Sequence, residues 1–117
     1  MSQATGEPLN TQRCKPCEGG VQPFSLGEAQ SLLSQLSADW KLAADGRSLR
    51  GEWKFRNFYH AMSFVNAVAH IANTEDHHPD LEVGYGYCRM IFQTHAIGGL
   101  SQNDFICAAK VDSLPRS

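Results

Sequence analysis

The sequence predicts an α+β domain: a four-stranded antiparallel sheet with three helices on one face, in the order α-β-β-α-β-β-α. Three observations carry this. Residues 49–55, Leu-Arg-Gly-Glu-Trp-Lys-Phe, alternate strictly, with apolar residues or Gly at odd positions and charges at even ones. That is the pattern of a strand with one buried and one wet face. Residues 58–74 carry apolar side chains at helical spacing. Asp45-Gly46 and Gly84-Tyr85-Gly86 are turn signals between strand-like runs. The strands therefore come as two hairpins around one long helix.

Residues 1–23 hold Gly6, Pro8, Pro16, Gly19, Gly20 and Pro23 and few apolar groups. They read as a flexible arm, and residues 24–117 as a single domain. Ser25-Leu26-Gly27-Glu28 is a capping box. Leu26, Ala29, Leu32, Leu33 and Leu36 follow at helical spacing, so the first helix is expected over 26–36. Residues 40–43 are a short strand, and Asp45-Gly46 turns the chain into the alternating run. Asn57 can cap the long helix. Phe58, Met62, Val65, Val68, Ala69, Ile71 and Ala72 are its expected buried stripe, with Phe64 at the edge. His60 and His70 lie on this helix as surface residues.

Leu81 and Val83 alternate with Asp80 and Glu82, giving the third strand. Residues 87–94 return as the fourth, with Cys88, Met90 and Phe92 on one face, which makes Cys88 a sheet residue rather than a nucleophile. His95 ends this strand, and Gly98-Gly99 is a loop. Ser101 caps the last helix, 102–112, with Asp104 at the capping-box position and Phe105, Ile106, Ala109 and Val111 inward. The sheet's other face carries apolar groups among its charges, and its edge strands stay open. Both features predict association into a homodimer or homotetramer.

Composition removes several classes of function. The 117 residues suffice for one domain with a modest core, and 42% are apolar against 19% charged. A net charge of −2 and a pI of about 6.2 lack the basic footprint of nucleic-acid binding. No apolar run approaches the roughly 18 residues of a membrane span. The polar start, without an apolar h-region, argues against a signal peptide, and the chain reads as cytoplasmic. Cys14-Lys-Pro-Cys17 has the spacing of half a zinc site or of a redox pair. No second CxxC or HxxxH completes a zinc site, so free thiols on a mobile arm are the simpler reading.

The chemistry concentrates in Glu75-Asp76-His77-His78-Pro79-Asp80 and Thr94-His95, which hold three of the five histidines. Pro79 keeps His78 out of the helical region, so the pair sits where a helix ends and a strand begins. With the third and fourth strands paired across Gly84-Tyr85-Gly86, residues whose numbers sum to about 170 face each other. His77 and His78 then lie opposite residues 92–93, with His95 just beyond. Imidazole titrates near neutrality and can give or take a proton there. Asp76 and Asp104 are carboxylates able to orient an imidazole. Three histidines also suit a catalytic zinc ion, although adjacent ones rarely reach the same metal. In the plainest alternative they merely cap elements. No Ser/His/Asp arrangement, phosphate loop or dinucleotide fingerprint competes.

Asp76-His77-His78-Pro79, then Thr94-His95, then Gly99-Leu100-Ser101 with Asp104 after two intervening residues, resemble the pterin-4a-carbinolamine dehydratases. Trp53-Lys54-Phe55, Asn57-Phe58 and Phe64 fit as well, and the likeness covers about residues 25–113. It implies an enzyme, a carbon–oxygen lyase that dehydrates 4a-hydroxytetrahydrobiopterin to quinonoid dihydropterin. This recycles the pterin of aromatic amino acid hydroxylases, without metal or organic cofactor, in a protein that forms dimers and tetramers. By motif position it implies His77 and His95 as acid and base, in unassigned order, and His78 as the residue that orients the pterin near C4a. It also implies substrate contacts from Asp76, Pro79, Gln93 and Thr94, and Asp104 as the support of His95. Asn73 stands where family members often carry Glu. The family also contains the dimerisation cofactor of a hepatocyte homeodomain transcription factor. A regulatory role by dimerisation, or an accessory role in molybdopterin metabolism, is thus the alternative to turnover.

Overall fold

The structure, a computed structural model, describes residues 7–16, 19 and 21–115. The elements are α1 (Leu26–Leu33), β1 (Trp40–Leu42), β2 (Leu49–Lys54), α2 (Phe58–Glu75), β3 (Asp80–Gly84), β4 (Tyr87–Phe92) and α3 (Gln102–Asp112). Their order is the expected one. The strands form one antiparallel sheet in the order β1-β2-β4-β3. The fold is α+β, with the helices against one face. No helix among the described residues is long and apolar enough to cross a membrane.

The register explains the two faces. Trp40 faces Gly51, Gly51 faces Met90 and Met90 faces Leu81, while Leu49 faces Phe92 and Trp53 faces Cys88. Directly paired residues share a face, so this set lies under the helices, and most of it is fully buried. Trp40 and Trp53 meet edge to face, 5.0 Å apart. A Cβ on Gly51 would lie 2.4 Å from the Trp53 ring. A side chain at residue 51 is thus incompatible with the tryptophan pair, and this is the physical reason for a glycine inside the strand. The other face carries Arg50, Glu52, Arg89, Glu82 and Tyr87. Arg89 pairs with Glu52 and Glu82 and covers the Tyr87 ring.

Helix starts follow the sequence closely. Ser25–Glu28 and Ser101–Asp104 form complete capping boxes, and the Asn57 side chain accepts from the His60 N–H. Three expectations change. First, α1 ends at Leu33, and Leu26 is half exposed. Second, the buried stripe of α2 is Ala61, Phe64, Val65, Val68, Ala72 and Glu75, whereas Phe58 and Ala69 are exposed. Phe64 turns inward because Trp53 and Phe55 offer it rings at 5.2 Å; aromatic contact outweighs the centre of the apolar count. Third, β4 stops at Phe92. Thr94 instead bridges Gly99, enclosing a 3-10 turn over His95–Ile97 that ends on Gly98 with φ 67°.

Helix α3 is buried over most of its circumference. Residues 7–16, expected as part of the arm, lie across it. Leu9 enters the core at 4% exposure from a one-turn 3-10 helix, Leu9–Thr11. At its other end, α3 is tied to the chain before β1. Asp112 accepts from the Ser37 N–H and hydroxyl and from the Trp40 indole N–H.

Candidate active site

Helix α2 ends on Asp76, the one non-glycine residue among those described with a left-handed backbone, φ 53° and ψ 43°. Asp tolerates this conformation better than most residues. The reversal brings the N–H groups of Asp76 and His77 onto the Ala72 carbonyl. It also aims the His77 side chain under the helix end toward the start of α3. There the His77 Nε2 lies 2.6 Å from the Asp104 Oδ1. The ring stacks on Phe92 with an interplanar angle of 6°.

Asp104 is fully buried, and both of its oxygens are engaged. Oδ2 accepts from the Thr94 hydroxyl at 2.8 Å and from the Ser101 N–H at 3.0 Å. The Thr94 hydroxyl, donating to Asp104, in turn accepts from the Ser101 hydroxyl. With Oδ2 already accepting from two donors, Oδ1 is the oxygen left to accept from the Nε2–H of His77. The support expected for His95 thus belongs to His77. The N3 carboxylate of a capping box folds back over its own helix start, and His77, not His95, lies at that point.

His78 turns the other way. It is exposed, and its Nε2 lies 3.0 Å from the Asn73 Oδ1. Since the amide oxygen only accepts, Nε2 carries the hydrogen. His95, exposed, opens the 3-10 turn on the facing wall. Asp76, His77, His78, Gln93, Thr94 and His95 all line one cleft of about 530 Å³. Pro79 and Asp104 do not line it. Pro79 precedes β3, and Asp104 sits behind His77. A hollow of about 630 Å³ on the open sheet face is lined by Arg50, Glu52, Glu82, Arg89 and neighbours and holds no imidazole, whereas His77, His78 and His95 all belong to the first cleft. Among the described residues, no three His, Cys, Asp or Glu side chains are grouped to hold a metal ion.

The cleft has a wall that sequence reasoning missed, formed by Cys14, Lys15 and Pro16. Asn103 clamps Lys15 by its backbone, accepting from the N–H at 3.0 Å and donating to the carbonyl at 2.6 Å. Glu75 accepts from the Cys14 N–H at 2.8 Å and from Arg13 at 3.1 Å, with Lys110 at 3.8 Å. Burial disfavours its charge, but the Cys14 N–H, Lys110 and Arg13 outweigh that and hold the carboxyl below its usual range. Glu75 adjoins the histidine motif and Asn103 lies between Ser101 and Asp104. Their positions were a signal, but the Gly/Pro-rich composition of the arm hid their partner. Cys17 lies outside the described residues; Cys14 meets Cys107 instead, Sγ to Sγ 3.6 Å.

A family model for pterin 4 alpha carbinolamine dehydratase matches residues 22–114. The chain belongs to this family. It is 56% identical over 109 residues to a protein of Nitrosomonas europaea, covering 93% of this chain and 95% of that one. It is 51% identical over 106 residues to a protein of Legionella pneumophila, covering 91% and 94%. Both are provisionally named pterin-4-alpha-carbinolamine dehydratases. A Brucella melitensis structure titled a transcriptional coactivator/pterin dehydratase shares the fold, with a TM-score of 0.74 at 24% identity over 79% of this chain and 97% of that one. So does a pterin dehydratase-like protein described as a RuBisCO assembly factor in the alpha-carboxysome, with a TM-score of 0.56 at 20% identity over 64% and 87%. Asp76, His77, His78, Thr94 and His95 of the motif that carried the resemblance all line the histidine cleft.

Proposed function

We propose that this protein dehydrates a 4a-hydroxytetrahydropterin to the quinonoid dihydropterin, using the imidazoles of His77, His78 and His95. The observation that carries the reading is their meeting in one cleft of about 530 Å³, room for a bicyclic heteroaromatic, with His77 held by a buried carboxylate. The reaction needs one proton delivered to the leaving 4a-hydroxyl and one removed from N5. Water departs, and the net proton count is unchanged. No electrons enter or leave, so the stoichiometry requires no redox partner. His77 and His95 exchange these protons, and His78 orients the ring near C4a. Asp104 acts through His77 as a positioning residue. Asp76, Pro79, Gln93 and Thr94 form the surroundings of the pterin, the backbone at 93–94 facing its pyrimidine edge. Positioned acids and bases of this kind contribute about 10²–10⁴-fold.

In this reading the protein serves an aromatic amino acid hydroxylase in the cytoplasm and works as a homodimer or homotetramer. The edge strand β3 and the open sheet face supply surfaces for association. The test is stopped-flow absorbance of 4a-hydroxytetrahydropterin, generated by a hydroxylase, with wild type, His77→Ala and His95→Ala. Wild type accelerates the decay, and each variant loses at least about 10²-fold while keeping its fold. A folded wild type without acceleration transfers the cleft to an accessory or dimerising role; the two structural neighbours are named a coactivator and an assembly factor.

A further inference from the structure

We propose that Cys14 and Cys107 form a peroxide-sensitive thiol pair, whose oxidation to a disulfide staples the N-terminal wall of the cleft to α3. The two residues are 93 positions apart in sequence, yet their sulfurs lie 3.6 Å apart. A disulfide needs a sulfur separation near 2.05 Å, so the two sulfurs have only about 1.5 Å further to close. The environments are unequal in the way such a pair requires. Cys14 is half-buried and lines the cleft, where a small oxidant reaches it. Cys107 is fully buried on α3, behind the His77 carbonyl. Cys88, by contrast, is buried in the sheet, where its thiol is directed at the Arg89 carbonyl.

The chemistry runs in two balanced steps. Hydrogen peroxide oxidises the Cys14 thiol to a sulfenic acid and releases water. The Cys107 sulfur then attacks that sulfur while its proton passes to the departing hydroxyl, so that the S–S bond forms and the second water leaves. The order follows from the site. The hydrogen bond to Cys14 and burial hold the Cys107 thiol protonated, so it does not react first. The wall carrying Cys14 is otherwise attached near the cleft through polar contacts to Glu75 and Asn103. A covalent tie beside His77 fixes the cleft's width, whatever molecule fills it. Cys17, three residues along, is the competitor for Cys14.

The test is peptide mapping by mass spectrometry after treating the folded full chain with hydrogen peroxide and blocking the remaining thiols. The expected product is about 2 Da lighter than the reduced protein and holds a Cys14–Cys107 peptide. The same peptide forms in Cys17→Ser and is absent from Cys14→Ser and Cys107→Ala. Cys14→Ser alone decides the control if Cys107→Ala does not fold. Oxidised wild type melts about 4 °C or more above the reduced form, and dithiothreitol reverses this. A main product of Cys14–Cys17, a Cys14 sulfinic acid with Cys107 still free, or unreacted thiols overturns the proposal. So does a Cys14–Cys107 bond that leaves Tm unchanged.

Discussion

His77 and Asp104 are joined by a 2.6 Å hydrogen bond between Nε2 and Oδ1, a link between the end of α2 and the start of α3. The carboxylate is at once a helix cap, the acceptor for Thr94 and the orienting group of an imidazole in the cleft. The helix cap and the hold on His77 are therefore carried by the same two oxygens.

Replacing Asp104 separates these roles. Asp104→Ala leaves the Ser101 N–H, the Thr94 hydroxyl and the His77 Nε2 hydrogen without their buried acceptor, and it is expected to cost about 2–4 kcal/mol. Asp104→Asn keeps the volume and one acceptor oxygen, so it costs less stability. It still lowers kcat by about 10–10²-fold with KM little changed, because His77 loses its anionic partner. Urea unfolding together with the stopped-flow assay gives both numbers. Equal kcat in wild type and Asp104→Asn refutes the positioning role.

Glu75 makes the N-terminal wall acid-sensitive. Its carboxyl is held below the usual range when folded. A lowered folded value contributes stability above the unfolded pKa near 4.3, and that contribution is lost as pH falls through the folded value. The Tm difference between wild type and Glu75→Gln should thus be largest at pH 6–7, about 1 kcal/mol in equivalent stability, and shrink from about pH 4.5 downward. Melting curves from pH 7 to 3 check this. A constant difference across that range contradicts it.

Burial raises the Cys88 thiol to about 11. At pH 8 it is almost wholly protonated, and in the folded protein it is shielded from reagent. Iodoacetamide labels Cys14 before Cys88, which it reaches only when denaturant opens the sheet. Rapid Cys88 labelling of the native protein contradicts the register that buries it.

The re-centred stripe of α2 gives a stability contrast. Phe64 is 6% exposed and packed on Trp53 and Phe55, while Phe58 is 49% exposed. Phe64→Ala is expected to cost about 3–5 kcal/mol and Phe58→Ala less than about 1 kcal/mol in the isolated chain. Denaturant titration of both variants measures the contrast, and similar costs would restore the stripe read from the apolar count.

Much of this protein is determined locally and is legible in the sequence. The alternation through residues 49–55 can only be a half-buried strand, and Ser25, Asn57 and Ser101 start helices by their own side chains. The turn at 84–86 sets the start of β3, just after His77 and His78, beside the end of β4, because a hairpin's register follows from its turn. The motif around those histidines was readable for the same reason, since its spacing is a spacing along one hairpin.

Tertiary structure decided what depends on partners distant in the chain. Phe64 and Phe58 differ in burial because of where Trp53 and Phe55 stand, not because of helical phase. Asp104 serves His77 rather than His95 because the left-handed turn at Asp76 carries His77 under α2, a direction no spacing encodes. Residues 7–16 look unable to pack by composition, yet Leu9, Glu75 and Asn103 hold them against α3 and the end of α2. Glycine and proline content reports a segment's own conformational freedom. Whether a buried carboxylate and an amide await its backbone is set by the surface onto which it folds, and only the assembled structure contains that surface.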